Sequence, residues 1–210
     1  MAESLGTRIS TRHSSRARRP RERGQSLVEF AISSLVLILL LMGLLDLSRA
    51  FYYAVNIQGA AREGARHGAW FDTATRSNKY LDDDDIMLAV RQAMYGAGFD
   101  GTNLPVPTQV KTAGCLAPTD GNTINNKPYA AAAVPPSTGQ AFVYICYTYP
   151  GGAIQTGTMP AHPLDAAWRL GDVNVSVVMN FALVTPFIQN IFGNGIPVVY
   201  NEHFTIQGQP

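Results

Sequence analysis

The most pronounced pattern in the chain is an apolar run close to its N-terminus. The sixteen residues from Phe30 to Leu45 carry no charge. Extending the run to Leu27–Leu47 gives twenty-one residues, which as a helix would cover about 31 Å at about 1.5 Å per residue. That length matches the ~30 Å hydrocarbon core of a bilayer. The pattern therefore predicts one transmembrane helix, with Glu29 and Asp46 near its two edges.

A basic leader precedes this run and predicts its orientation. Residues 1–23 hold seven arginines and two glutamates, although the net charge of the whole chain is only +1. An excess of lysine and arginine marks the cytoplasmic flank of a span, so we expect a cytoplasmic N-terminus and an extracytoplasmic chain from about residue 50. A nucleic-acid-binding protein would instead spread basic residues over a folded face, and we expect no nucleic-acid partner.

A cleaved secretory signal is the alternative, because it also joins a basic region to an apolar run. Against it, Leu47-Ser48-Arg49-Ala50 makes a poor cleavage site, and the chain from Asp46 to Ala69 has no proline. Small residues recur there every four positions, in two rows: Ala60, Gly64, Gly68 and Ala61, Ala65, Ala69. We expect one helix of about forty residues, whose small residues pack on the protein's own sheet or contact other subunits.

The remainder of the chain predicts an α+β domain. Apolar positions at helical spacing follow residue 85, and Gly96 or Gly98 would end that helix. The period then changes to two, which predicts about four strands in an antiparallel sheet: Val106–Thr112, Ala141–Tyr149, Val173–Val184 and Pro197–Ile206. A long surface loop is expected over Gly114–Gly139. Thr185, Pro186 and Gly193 outline a short helix as its cap, first residue and end. The predicted organisation is a leader at 1–24, the long helix at 25–69 and an extracytoplasmic domain at 70–210.

Four consecutive aspartates, Asp82 to Asp85, precede the second helix. Acidic residues at a helix start accept hydrogen bonds from free amides and favour the positive end of the helix dipole. A calcium site is the alternative, but the alternating oxygen ligands and central glycine of a calcium loop are missing. We therefore interpret the run as a helix cap.

Two cysteines, Cys115 and Cys146, both fall on the predicted outer side. An oxidising compartment favours a disulfide between them, and two unpaired thiols are the alternative. No phosphate-binding, nucleophile-elbow or zinc motif is present, and the four histidines (13, 67, 162 and 203) are scattered. We expect no enzymatic activity, cofactor, metal or small-molecule substrate.

The junction between leader and span resembles the processing site of type IV prepilins. It reads Arg23-Gly24-Gln25-Ser26-Leu27-Val28-Glu29-Phe30. The resemblance implies that prepilin peptidase cuts after Gly24, and that Glu29 pairs with the new terminal amine of Gln25 in a neighbouring subunit. A carboxylate in a span is costly unless it is compensated. The alternative places Glu29 at the headgroup boundary without a partner.

A longer stretch, from Arg23 to Ala69, resembles the TadE-like family of tight-adherence (Flp-type) pilus systems. It includes RGQSLVEFAI, DLSRAF and AAREGAR, and the later segment from Thr185 to Gly193 is similar to that family's C-terminal part. The resemblance implies a pilin-like domain and a minor pseudopilin. Its implied partners are the inner membrane, prepilin peptidase, other pilins or pseudopilins and the pilus assembly platform.

The closing strand, with Tyr200, Asn201, Glu202 and His203, departs from the small, hydroxyl-rich end usual in that family. Two alternatives come from other classes. One is an uncleaved, membrane-anchored adhesion or binding protein. The other is a secreted enzyme or inhibitor that begins near Phe51. The N-terminus of the mature chain distinguishes all three hypotheses.

Overall fold

A computed structural model describes residues 22–101, 106–107, 110–111, 115–116, 127–128, 135, 137–151, 169–193 and 195–208. The chain divides into two units, one ending at Leu41 and one beginning at Met42. The leader before residue 22, most of the predicted loop at 114–139 and His162 lie outside the described residues.

The first helix, α1, runs from Glu22 to Gly68 over 47 residues. Its sequence combines good helix formers with a complete lack of proline, so no backbone hydrogen bond is interrupted along its length. The structure thus confirms the predicted continuous helix. Its two halves differ in burial: the side chains of the apolar run are exposed, whereas Tyr53, Ile57 and Ala61 are buried.

The second helix, α2, runs from Asp83 to Gly96 and buries Ile86, Val90 and Met94 on one face. Asp82 is its N-cap, with the Oδ1 atom accepting a hydrogen bond from the backbone N–H of Asp85 at 2.7 Å. Such a bond satisfies one of the amides that a helix start leaves without a partner. The predicted capping role of the acidic run is confirmed for Asp82.

The sheet contains three antiparallel strands, which are β4 (Ala141–Thr148), β5 (Asp172–Ala182) and β6 (Gly195–Thr205). The two-residue strand β1 (Val110–Lys111) pairs with β4 in parallel, giving the order β1-β4-β5-β6. The short strands β2 (Cys115–Leu116) and β3 (Lys127–Pro128) form a separate antiparallel pair. The α+β class is confirmed, with three antiparallel strands where about four were expected.

The helix α3 (Pro186–Phe192) lies between β5 and β6, as predicted. Thr185 occupies the N-cap position, but its side chain makes no capping hydrogen bond. Its hydroxyl instead donates to the backbone carbonyl of Met42 on α1, at 3.3 Å. The predicted cap position of Thr185 is therefore confirmed, while its hydroxyl binds α1 instead of an amide of α3.

The core forms where the second half of α1 meets α2 and the central strand β5. Gly64 allows a close approach, because a Cβ at that position would lie 2.5 Å from Val90 Cγ2 and 3.4 Å from Val175 Cγ1. Ala61 and Ala65 are fully buried beside it. The small residues thus pack on this protein's own α2 and sheet, which was the first of the two alternatives.

Replacing Gly64 by alanine should destabilise the domain, although alanine is the better helix former. The added methyl group would overlap Val90, and overpacking of this kind costs about 1–3 kcal/mol. Gly59→Ala is the matched control, since nothing lies within 4 Å of its Cβ position, and it should gain up to ~1 kcal/mol from helix propensity. Thermal unfolding of the full chain in detergent measures both, and equal shifts for the two variants would contradict the packing.

Candidate processing and assembly site

Gly24, Gln25 and Glu29 lie together in the first turns of α1. The helix begins at Glu22, so the peptide bond between Gly24 and Gln25 is already helical. The Gln25 side-chain amide Nε2 donates to Glu29 Oε1 at 3.0 Å. Nothing lies within 4 Å of the Cβ position of Gly24. None of the described residues therefore fills the space beside Gly24.

The helical position of the Gly24–Gln25 peptide bond affects how a peptidase could reach it. A peptidase acts on an extended backbone, so the first turn of α1 has to unwind before Gly24–Gln25 could be cut. Unwinding costs little here, because the first four N–H groups of a helix have no intrahelical partner and glycine is a poor helix former. Cutting at this point would leave Gln25 as a free amine one turn before Glu29.

The apolar band from Leu27 to Leu45 follows this turn. Most of its large side chains, among them Phe30, Leu40 and Leu44, are more than half exposed. The most apolar part of α1 has a mean hydropathy of 2.5, and none of it is buried in the structure. By length and composition the helix is compatible with a single-pass membrane anchor.

Asp46 ends the apolar band, and its carboxylate joins α1 to α3. Oδ1 accepts the backbone N–H of Val184 at 3.1 Å, and Oδ2 accepts that of Thr185 at 3.0 Å. The Arg49 guanidinium lies 3.6 Å from Oδ1 and 5.3 Å from the centre of the Phe181 ring. The sequence placed Asp46 only at an edge of the span. Its spacing of three from Arg49 was the available sign of an ion pair, whereas the partners at 184 and 185 lie too far along the chain to be inferred.

Two further polar pairs lie in the domain and were not predicted. Tyr147 on β4 donates to Asp83 Oδ1 at 2.6 Å, and burial together with this carboxylate raises the pKa of Tyr147 well above its ordinary value. Asp172 Oδ1 lies 3.1 Å from His203 Nδ1, and burial raises the pKa of Asp172 to about 6. Each pair joins two elements of the fold, and we assign them a structural role.

The remaining predicted groups are placed as follows. Cys146 is buried in β4, and the backbone of β2, which carries Cys115, lies against β4. The side chain of Cys115 lies outside the described residues, so the disulfide between them stays a prediction. His67 and His203 contact different residues. His203 lies beside Asp172, whereas His67 packs on Tyr80 with ring centres 4.4 Å apart. With Trp70 and Asp72 these two rings line a shallow cavity of about 230 Å³.

Comparison with known proteins shows a family similarity for the N-terminal part of the chain. The model of the family described as TadE-like protein matches residues 24–66. This segment is TadE-like. The match begins at Gly24 and covers α1 almost to its end, and it confirms the resemblance seen in the sequence. It does not extend to the sheet or to α3. No curated protein and no solved structure matches the chain.

The TadE-like match supports an association with a tight-adherence pilus system in general terms. Together with the exposed apolar half of α1, it supports a pilus-related membrane protein. Glu29 and Asp46 both lie within the matched segment. Asp46 accepts two hydrogen bonds and pairs with Arg49 within its own chain. Glu29 forms no ion pair among the described side chains.

Replacing Asp46 by alanine should loosen α3 from α1. The backbone N–H groups of Val184 and Thr185, part-buried and buried respectively, would lose a charged acceptor, and hydrogen bonds to charged groups contribute about 1.5–3 kcal/mol each. We expect lower thermal stability and faster proteolysis between β5 and β6 in detergent-solubilised full chain. Ser48→Ala on the same turn is the control, because its hydroxyl only bonds the Leu44 carbonyl of its own helix. Unchanged cleavage in Asp46→Ala would contradict this role.

Proposed function

We propose that this chain is a minor pseudopilin that takes part in assembling a tight-adherence (Flp-type) pilus at the bacterial inner membrane. In this proposal α1 crosses the membrane once, with the N-terminus in the cytoplasm and the domain from residue 70 outside. The protein acts through contacts with other pilus subunits, without enzymatic activity of its own. Its partners are prepilin peptidase, other pilins or pseudopilins and the assembly platform.

The continuity of α1 carries the proposal. One helix holds the junction at Gly24, an exposed apolar band and a buried half that forms the domain core. A pilin-type subunit needs this arrangement, because the same helix has to sit in lipid before assembly and against other subunits afterwards. The TadE-like match runs over the same helix and begins at the proposed cleavage point.

The charge at Glu29 supplies the proposed assembly step. A carboxylate within a span is costly unless it meets a partner, and the Gln25 amide that it accepts is neutral. After cleavage Gln25 would carry an ammonium group. Pairing that amine with Glu29 of a neighbouring subunit would neutralise two charges in a setting of low dielectric constant, where an unpaired charge is strongly disfavoured.

The geometry disfavours the secreted alternative. Cleavage near Phe51 would cut α1 within its length and remove Asp46 and Arg49 from the domain. Val184 and Thr185 would then lose the carboxylate that accepts their backbone N–H groups. The uncleaved anchored protein keeps all of these contacts, so it differs from our proposal only in its N-terminus and its assembly.

Gly24→Val should block removal of the leader. A side chain at this position would obstruct a narrow peptidase cleft, and it would clash with none of the residues that the structure describes. The control is Gly59→Val, the same change on the same helix, again with open space around the Cβ position. Mass spectrometry of membrane-extracted protein should find residue 25 as the N-terminus in the wild type and the control, and residue 1 or 2 in Gly24→Val. A wild-type chain that retains residues 1–24 would refute the processing step.

Glu29→Ala should abolish assembly while leaving the domain folded. Glu29 lies far from the core, and removing a charge from the span should favour insertion by a few kcal/mol at most. We expect normal membrane levels and normal cleavage, with loss of pili in cells that carry only the variant. Glu63→Ala is the control, because it removes an exposed carboxylate of α1 whose partner is Arg66. Normal piliation with Glu29→Ala would instead favour an unpaired carboxylate at the headgroup boundary.

A further inference from the structure

The helix α3 lies beside the last turns of the apolar band. The Thr185 hydroxyl donates to the Met42 carbonyl, and Ile188 Cδ1 lies 3.5 Å from the Cβ position of Gly43. Asp46 accepts the two backbone N–H groups that precede the helix. These contacts place α3 beside residues 42–46 of α1, and this position along α1 is called its height below.

That height falls inside the predicted span. Leu47 is its outer end, and Met42 and Gly43 come four to five residues earlier. At about 1.5 Å per residue, α3 contacts α1 at a point ~6–8 Å below the outer edge. Helices that lie in the membrane interface bury their apolar face by about 5–10 Å at the boundary of headgroups and acyl chains. The depth of α3 matches this range.

The described side chains of α3 and of the residues next to it in sequence are largely apolar. Val184 is 55% exposed and Ile191 is 61% exposed. Two residues at the start of β6, Ile196 and Val199, are also exposed. The sequence holds no Asp, Glu, Lys or Arg from Val173 to Asn201, and the charged groups beside this segment are the paired Asp46 and Arg49 of α1. Exposed aliphatic side chains on a long segment without charge would be unusual for a surface that faces water.

Within β5 and β6 the charged residues lie toward the opposite end of the sheet. Ala182 pairs with Gly195 at the end next to α3, whereas Asp172 pairs with Thr205 at the far end. Glu202 lies opposite Val175, seven residues from Ala182, which corresponds to ~23 Å along a strand. The uncharged region is therefore confined to the end of the domain that α3 occupies.

We propose that α3, with Val184 and the first residues of β6, rests at the boundary between headgroups and acyl chains of the outer leaflet as a second membrane contact. The inference goes beyond the proposed function but rests on α1 crossing the membrane. Lipid fits this surface because α3 contacts α1 just inside the outer end of the predicted span and because the segment that contains α3 carries no charged residue. With two contacts, the domain, whose core includes the second half of α1, is held at one orientation to the membrane surface.

Site-directed spin labelling of the full chain in nanodiscs, at one chain per disc, tests the proposal. Labels are placed at Ile191→Cys and Val184→Cys, both exposed positions where the change should not unfold the domain. Leu40→Cys, in the apolar band, reports lipid. Leu88→Cys reports water: it is 52% exposed on α2, between Ile86 and Val90, which contact Gly64. The chain with its natural cysteines alone gives the background labelling.

For each label we compare the collision rate with oxygen, which concentrates in lipid, with the collision rate with a water-soluble nickel chelate. We expect the ratio of oxygen to nickel collisions to be severalfold higher at residues 191 and 184 than at residue 88. If the labels at 191 and 184 behave like that at 88 while 40 is in lipid, the inference is wrong and the proposed function stands. If the label at 40 is also in water, the membrane crossing and the proposed function fail together. Labels that are exposed to water with one chain per disc, and shielded with two, would assign this face to a second copy and overturn the proposal.

Discussion

The rest of the structure depends on one helix staying unbroken between two environments. The apolar half of α1 is compatible with a membrane anchor, and in hydrocarbon every backbone N–H and C=O has to be satisfied within the chain, which a continuous helix achieves. In the domain the same helix needs a surface that other elements can approach closely. α1 meets both demands by changing its side chains along its length, from large exposed aliphatic residues to the small buried residues Ala61, Gly64 and Ala65.

Asp46 lies at the boundary between the exposed apolar half of α1 and its buried half. A buried carboxylate is tolerated only when hydrogen bonds or opposite charges replace its water, and Val184, Thr185 and Arg49 supply both kinds of partner. The same contacts hold the turn between β5 and α3 against α1. The Asp46 carboxylate thus attaches the segment between β5 and α3 to α1, at the end of the apolar band.

Much of this fold could be predicted from the sequence, for identifiable physical reasons. The helices and the antiparallel strands follow from hydrophobic periods, and Asp82 and Pro186 mark helix starts through local rules. The pairs Asp46 with Thr185, Tyr147 with Asp83 and Asp172 with His203 could not be predicted, because each joins residues distant in sequence. The parallel pairing of β1 was missed for the same reason. In the candidate site, the roles of Gly24 and Glu29 stay predictions from their local spacing, whereas the contacts of Asp46 with Val184 and Thr185 could not be predicted.

The two carboxylates of the TadE-like segment differ in a way that bears on assembly. Glu29 and Asp46 lie seventeen residues apart on one helix, or ~26 Å at about 1.5 Å per residue. Asp46 receives two backbone N–H groups and a guanidinium from its own chain, so little of its charge remains for a neighbour. Glu29 receives the neutral amide of Gln25. Among the described side chains Glu29 has no counterion, so a partner in a neighbouring subunit would stabilise its charge more than that of Asp46. This difference favours our proposal that Glu29 serves assembly, whereas Asp46 joins parts of its own domain.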